Sequence, residues 1–302
     1  MKHICMVSGG EGSAYTAALV QRTYGIDWLL FADTLAEDTD AYRFLIESSF
    51  FTLGLATPVS LLARVKKLPE WHEDRFGRRP VLAEIASEAM ALAPQLRWIS
   101  LGLDPWEIYK RDRFLGNSSV DPCSKHLKRT LVDRWAAKNC DPPDTTIYVG
   151  IDFTESHRFD DGKGGGLGPR KLADGWRYAA PMCEPPFHSR RDAVVWLQGA
   201  HISRPRLTLA GFSHNNCSTS CCKGGQGHRA HQLRTYPARY AFDEKLEEDM
   251  RDFLGKDVSM LTDRTGDGVK KPLTLKELRE RIEAGRQVDL FDIGGCGCFI
   301  AG

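Results

Sequence analysis

Ile4-Cys5-Met6-Val7 is a short apolar run that stops at Ser8-Gly9-Gly10, and a helical pattern of Ala14, Ala17, Ala18, Leu19 and Val20 follows at once. This is a strand, a tight glycine turn and a helix in direct succession. Trp28-Leu29-Leu30-Phe31-Ala32 reads as a second buried strand ending at Asp33-Thr34. Glu37-Asp38-Thr39-Asp40 then opens a helix through Tyr42, Phe44, Leu45 and Ile46, its acidic first turn suited to the helix dipole. Strands alternating with helices imply an α/β fold with an open, mostly parallel sheet covered by helices on both faces.

Further along, residues 59–65 read as a third strand and residues 81–139 as mostly helical, with 82–92 and 127–137 the best helical segments. Residues 146–151 read as a fourth strand, and 177–181 as a fifth that Pro181 marks as an edge. The glycine-rich stretch 160–168 reads as a surface loop and 192–197 as the start of a helix. After Gly211 cysteine, glycine and histidine become concentrated. Helices are expected over 240–254 and 275–284, the latter opened by a capping box of Thr274 and Glu277.

Composition narrows the class of protein. The 302 residues are 42% hydrophobic and 27% charged, with a formal net charge of +1, which argues against a generally basic nucleic-acid binder. No apolar stretch has the length of a membrane span, and the first apolar run is too short for a secretory signal, so a cytoplasmic protein without a membrane partner is expected. Nine cysteines, unevenly clustered, then read as reduced thiols or metal ligands.

Several segments carry chemistry. In Ser8-Gly9-Gly10-Glu11-Gly12-Ser13, the glycines let backbone approach an anion at a helix N-terminus, and Ser8 and Ser13 offer hydroxyls. Asp33 and Thr34 stand at a strand's carboxyl end, where an acid either meets a ribose, an adenine or Mg²⁺, or caps the next helix. Cys123, next to Lys125, His126 and Lys128 at a helix start, is expected to have a lowered thiol pKa. Gly150 to Arg158 again follows a strand; Arg158 suits bidentate phosphate contact, with Glu155 and Ser156 orienting it or the nucleotide.

Cys217, Cys221 and Cys222 lie within six residues, a spacing that suits iron–sulfur or zinc ligation. His214, His228 and His231 nearby make a Zn²⁺ site of two cysteines plus histidines the inorganic rival. Residues 223–229 either hold an anion through backbone amides and Arg229 or form a plain loop. Cys296 and Cys298, set among glycines near the chain end, suit a mobile sulfur carrier or extra ligands. Trp71, Trp106 and Tyr109 either stack on a base or pack in the core.

In this order the segments resemble the phosphoadenosine phosphosulfate (PAPS) reductase family, within the PP-loop adenine nucleotide alpha-hydrolase-like superfamily. The resemblance spans about residues 3–222. It rests on the turn at 8–13, Phe31-Ala32-Asp33-Thr34, the run from Cys123 to Lys128, Gly150-Ile151 with Glu155, Ser156 and Arg158, and Gly211-Phe212 leading to Cys217. It implies a PP-loop domain over 1–210, then a cysteine-rich segment, helical extension and tail over 211–302.

The resemblance also implies an adenine nucleotide, ATP or a sulfonucleotide (PAPS or its 3′-dephospho form, APS), bound by Ser8, Gly9, Gly10, Gly12, Ser13, Asp33, Thr34, Gly150, Glu155, Ser156 and Arg158. It implies a [4Fe–4S] cluster on Cys123, Cys217, Cys221 and Cys222, and catalysis by Cys296 or Cys298 with Arg158. The activity would be either ATP-dependent sulfur transfer to an acceptor such as a nucleic acid, or reduction of a sulfonucleotide to sulfite with a thioredoxin-like partner. A zinc-stabilised, non-catalytic nucleotide-binding module is the alternative. The chain departs from the family at Glu11-Gly12, in its single first cysteine, and in its Gly-Cys-Gly-Cys tail. The oligomeric state stays open.

Overall fold

The computed structural model describes residues 1–117, 119–263, 270–286 and 288–295. The tail thiols Cys296 and Cys298 lie outside the described residues. The first half contains β1 (Lys2–Val7), α1 (Glu11–Thr23), β2 (Trp28–Asp33), α2 (Thr39–Thr52), α3 (Val59–Lys66), α4 (Arg78–Leu92), β3 (Leu96–Ser100), α5 (Pro105–Asp112), α6 (Pro122–Ser124), α7 (Thr130–Asn139) and β4 (Thr145–Tyr148). There follow α8 (Leu167–Ala173), β5 (Arg177–Ala179), α9 (Arg190–Gly199), α10 (Arg206–Leu209), α11 (Gln226–Thr235), α12 (Pro237–Leu254), β6 (Leu261–Asp263), β7 (Lys271–Leu273) and α13 (Leu275–Glu283).

Five parallel strands form one sheet in the order β3-β2-β1-β4-β5, a Rossmann-like open α/β arrangement. Helices cover both faces, and for that reason the inner strands are apolar almost throughout rather than alternating. Cys5, Val7, Leu29 and Phe31 pack to one side with Val20, Leu45, Leu82 and Ile85. Ile4, Met6, Leu30 and Ala32 pack to the other with Val132, Ala136, Ile147 and Leu167. Leu29 and Leu30 are wholly buried, each worth about 2 kcal/mol of apolar transfer.

A second core joins Trp71, Trp106 and Tyr109 to Tyr240, Met250, Leu273 and Leu278, so the helices after residue 210 pack against α5. These three aromatic residues are therefore core residues, 1%, 3% and 1% exposed, and none is free to stack on a base. Among the described residues no helix is long and apolar enough to cross a membrane.

Two strand assignments change. Residues 59–65 are helical: Leu61 and Val65 are buried one turn apart while Val59 is 80% exposed, a helical rather than an alternating burial pattern. The third strand is instead β3, inside the stretch expected to be mostly helical; it is a short edge strand interrupted by Arg97. Residues 167–173 are also a helix, so the glycine-rich loop is shorter than expected.

β1 lies between β2 and β4, and its crossover through α1 leads to β2, so the chains leaving β1 and β4 diverge at the strands' carboxyl ends. The divergence opens a crevice there. Gly150 lets the β4 exit pass close to α1, since a Cβ at this position would lie 2.5 Å from both the Cα and the N of Ser13. Gly150→Ala should therefore lower stability by about 1–3 kcal/mol, as overpacked sites do. Gly199→Ala, at a helix end with nothing within 4 Å, should be neutral or gain up to about 1 kcal/mol. Urea unfolding midpoints of the two variants check the contrast.

Candidate functional site

The crevice is a cavity of about 540 Å³ lined by the β1–α1 turn, the chain after β4, Lys128, Arg190 and residues 213–216. Gly10 precedes α1 with no side chain capping the helix, so the first amides of α1 are presented to the cavity as anion donors. Gly9 makes the turn at φ +69°, close against Ala41. Ser13 spends its hydroxyl within the turn: it donates to the Gly10 carbonyl at 2.9 Å and accepts from the Ser8 amide at 3.1 Å.

Of the residues expected to hold a nucleotide, Ser8, Gly10, Gly12, Ser13, Gly150, Glu155 and Arg158 line this cavity, with Arg158 and Glu155 paired at 2.5 Å. Gly9 shapes the turn from behind, and Ser156 sits in the adjoining 3-10 turn without lining the cavity. Asp33 is not brought to it. Its carboxylate is 1% exposed and accepts from Tyr42 Oη at 2.8 Å, Trp98 Nε1 at 2.9 Å and the Leu35 amide at 2.8 Å. Burial raises its pKa against those bonds. It is a structural acid that ties β2 to β3 and α2.

Thr34 faces a different space. It lines a small pocket with Cys123, Cys217, Cys221, Cys222, Tyr109 and Lys128. Cys123 thus meets three thiols about a hundred residues further along the chain, although none of the seven described cysteines forms a disulfide. Cys123 has a lowered pKa, as its sequence context suggested, but from a different cause: it accepts a hydrogen bond from Cys222 and another from Tyr109 Oη at 3.3 Å. Cys222, the donor, is correspondingly pushed well above its ordinary value. Burial raises Cys217, and the Glu37 carboxylate adds to that effect.

The space between the four thiols is about 20 Å³, room for about one water. Among the described residues no three His, Cys, Asp or Glu side chains are already spaced to hold a metal ion. The donor set itself, four soft thiols with the Asp121 carboxylate at the pocket wall, suits iron or zinc. The histidine rival is not assembled: His228 Nε2 lies 2.8 Å from the Thr219 carbonyl, and His231 Nε2 lies 2.7 Å from that of Ala210.

Cys217, Ser218 and Thr219 are all left-handed, at φ 52°, 51° and 76°. A left-handed residue other than glycine costs about 1–2 kcal/mol, so the surroundings must over-determine this turn. Glu37 accepts the Cys217 amide at 2.7 Å, and His228 and Arg239 hold the carbonyls of Thr219 and Ser218. Arg229 donates to the carbonyls of Ser220 and Cys221, both at 3.1 Å. It is fully buried and paired to Asp243 at 2.6 Å. Arg229 therefore serves the turn and is not an external anion site.

Residues 223–227 do hold an anion, but it is the chain's own. Asp292 accepts the Gln226 amide on its carboxylate at 3.2 Å and the Gly227 amide on its carbonyl at 2.9 Å. Glycine is required on both sides of this contact: a Cβ would lie 2.2 Å from Asp292 at Gly225, 2.2 Å from Leu290 at Gly227, and 2.0 Å from Lys223 at Gly294. Docked in this way, Ile293, Gly294 and Gly295 line the cavity, one residue before Cys296 in the sequence.

Sequence reasoning missed Glu37 and the cavity role of Lys128. Glu37, 2% exposed, accepts from the Thr34 hydroxyl at 3.1 Å and Lys128 Nζ at 3.5 Å on one oxygen, and from Cys217 on the other. Lys128 lines both the cavity and the thiol pocket. An acid in a first-turn cluster gives no sequence signal for such a role.

His214 also lines the cavity and stacks on His228 at 5.3 Å. Burial lowers their pKa values to about 4 and about 3. The unfolded chain takes up these protons near pH 6.5, whereas the native protein stays neutral, so stability is full above that pH and is lost as pH falls. His214→Phe should make the decline between about pH 6.5 and 4 shallower by one proton; denaturation midpoints across that range test it.

Compared with known protein families, with curated proteins and with solved structures, the chain matches none.

Proposed function

We propose that the chain is an enzyme of the PAPS reductase family that binds an adenine nucleotide in the cavity and carries out sulfur chemistry at the neighbouring thiols. One observation carries this reading: Lys128 is shared by the cavity and the four-thiol pocket, so a phosphate in one and a sulfur group in the other would meet the same cation. The strand order, the uncapped α1 and the crevice at the diverging strands support the nucleotide half.

Cys123, Cys217, Cys221 and Cys222 would hold the metal group; a [4Fe–4S] cluster there would supply an electron-rich centre, and one iron would be open to sulfur only if three of the four thiols bind. The amides of the 8–13 turn would bind phosphate and Arg158 would orient it. Glu37 holds Lys128 and the Cys217 turn at a fixed separation. Cys296 or Cys298 would supply the reacting thiol, following directly on a segment that lines the cavity.

Anaerobic purification with iron, zinc and sulfide analysis tests the thiol half. A brown protein with iron and sulfide in equal amounts is expected, and Cys217→Ser should abolish both. A colourless protein carrying zinc would instead support a zinc-stabilised binding module. Calorimetric titration with AMP tests the nucleotide half: binding is expected, and Lys128→Met should weaken it about tenfold or more. A cavity indifferent to every adenine nucleotide would remove the proposal.

A further inference from the structure

The turn that faces the cavity carries an acid where an anion would sit. Glu11 is the first residue of α1, is 4% exposed and lines the cavity. Both of its oxygens are held by arginines: Arg204 binds the carboxylate through Nε and Nη2, and Arg190 Nε reaches it at 3.1 Å. Locked in this way, Glu11 cannot readily turn away from an incoming anion.

The rest of the lining offers no surplus of positive charge. Lys128, Arg158 and Arg190 line the cavity, and so do Glu11, Asp152 and Glu155. Each of those cations already has a carboxylate partner: Glu37 for Lys128, Glu155 for Arg158 and Glu11 for Arg190. His214 stays neutral because burial lowers its pKa. An anion is therefore received chiefly by backbone amides and by sharing cations with their acids. Such a site accepts a small charge and is penalised by each further one, because every added charge must compete with Glu11, Glu37 or Glu155 for a cation that is already paired.

Resting on the reading of the cavity as a nucleotide site, we infer that Glu11 is a specificity-determining residue that limits ligand charge. The cavity takes a nucleotide with one phosphate end, carrying about two negative charges, and rejects a free triphosphate. A divalent cation masks about two of the charges of a triphosphate, so it relieves the rejection in part.

Calorimetric titrations of the full chain with AMP, with ATP in EDTA and with ATP in excess Mg²⁺ test this. AMP should bind at least about tenfold more tightly than metal-free ATP, a difference of about 1.4 kcal/mol, and Mg²⁺ should narrow the gap. Glu11→Gln releases Arg190 and Arg204, so it should raise the affinity for metal-free ATP about tenfold and move AMP much less. Metal-free ATP binding as tightly as AMP overturns the inference and leaves the nucleotide reading standing, as does a folded Glu11→Gln protein with an unchanged ratio. If that variant does not fold, the wild-type ranking decides alone. Failure of every nucleotide to bind overturns the underlying reading and this inference with it.

Discussion

Parallel pairing of β1 with β2 on one side and β4 on the other is the constraint from which the site follows. Hydrogen bonding fixes the three strands side by side, but their exits must separate, because the crossovers run to opposite halves of the sheet. The gap is thus a topological product before any side chain is chosen. Residue choice then decides how narrow it is: glycine at 9, 12 and 150 lets three stretches of backbone approach closely, and α1 begins in the gap with its amides uncapped.

The second level of organisation is electrostatic. The thiol-bearing turn is strained, and buried charges hold it from several directions: Glu37 at its amide end, Arg239 and Arg229 at its carbonyls. The same Glu37 carboxylate reaches Lys128. A buried acid that binds a main-chain amide and an ammonium group together makes one rigid unit of the thiol turn and the cavity wall. Removing one member of such a buried set usually costs several kcal/mol, so this arrangement is expected to move as a whole or not at all.

The sequence made the sheet readable where burial was continuous. The strands β1, β2 and β4 stood out because helices cover both of their faces, although β4 ends at Tyr148, before the apolar run at 146–151 does. The edge strand β3 did not, because its alternation Leu96-Arg97-Trp98 is short and follows directly on a helix. Residues 59–65 misled because short apolar runs carry no decisive period. The convergence of Cys123 with Cys217, Cys221 and Cys222 was legible from a resemblance, not from spacing. Asp33 showed the limit of position-based reasoning: it stands at the strand end where ligands bind, yet Tyr42 and Trp98 consume its carboxylate. Glu37 and Asp292 were invisible because their partners are backbone amides far away in the chain.

The docking of residues 289–294 has a consequence for sequence variation. Its bonds to the rest of the chain join main chain to main chain, to Asp292 or to Gln226, whose Oε1 accepts from the Asp289 amide at 3.2 Å, and the intervening Leu290 and Phe291 are 49% and 96% exposed. Chemistry at those two positions is therefore nearly free to drift, from aromatic to polar, without disturbing the seat, whereas Ile293 also lines the cavity. Gly225, Gly227 and Gly294 have no such latitude, since a single methyl group at any of them meets backbone or the Asp292 carboxylate. Natural variation in this stretch should accordingly be lopsided, wide among the bulky residues and almost nil among the smallest.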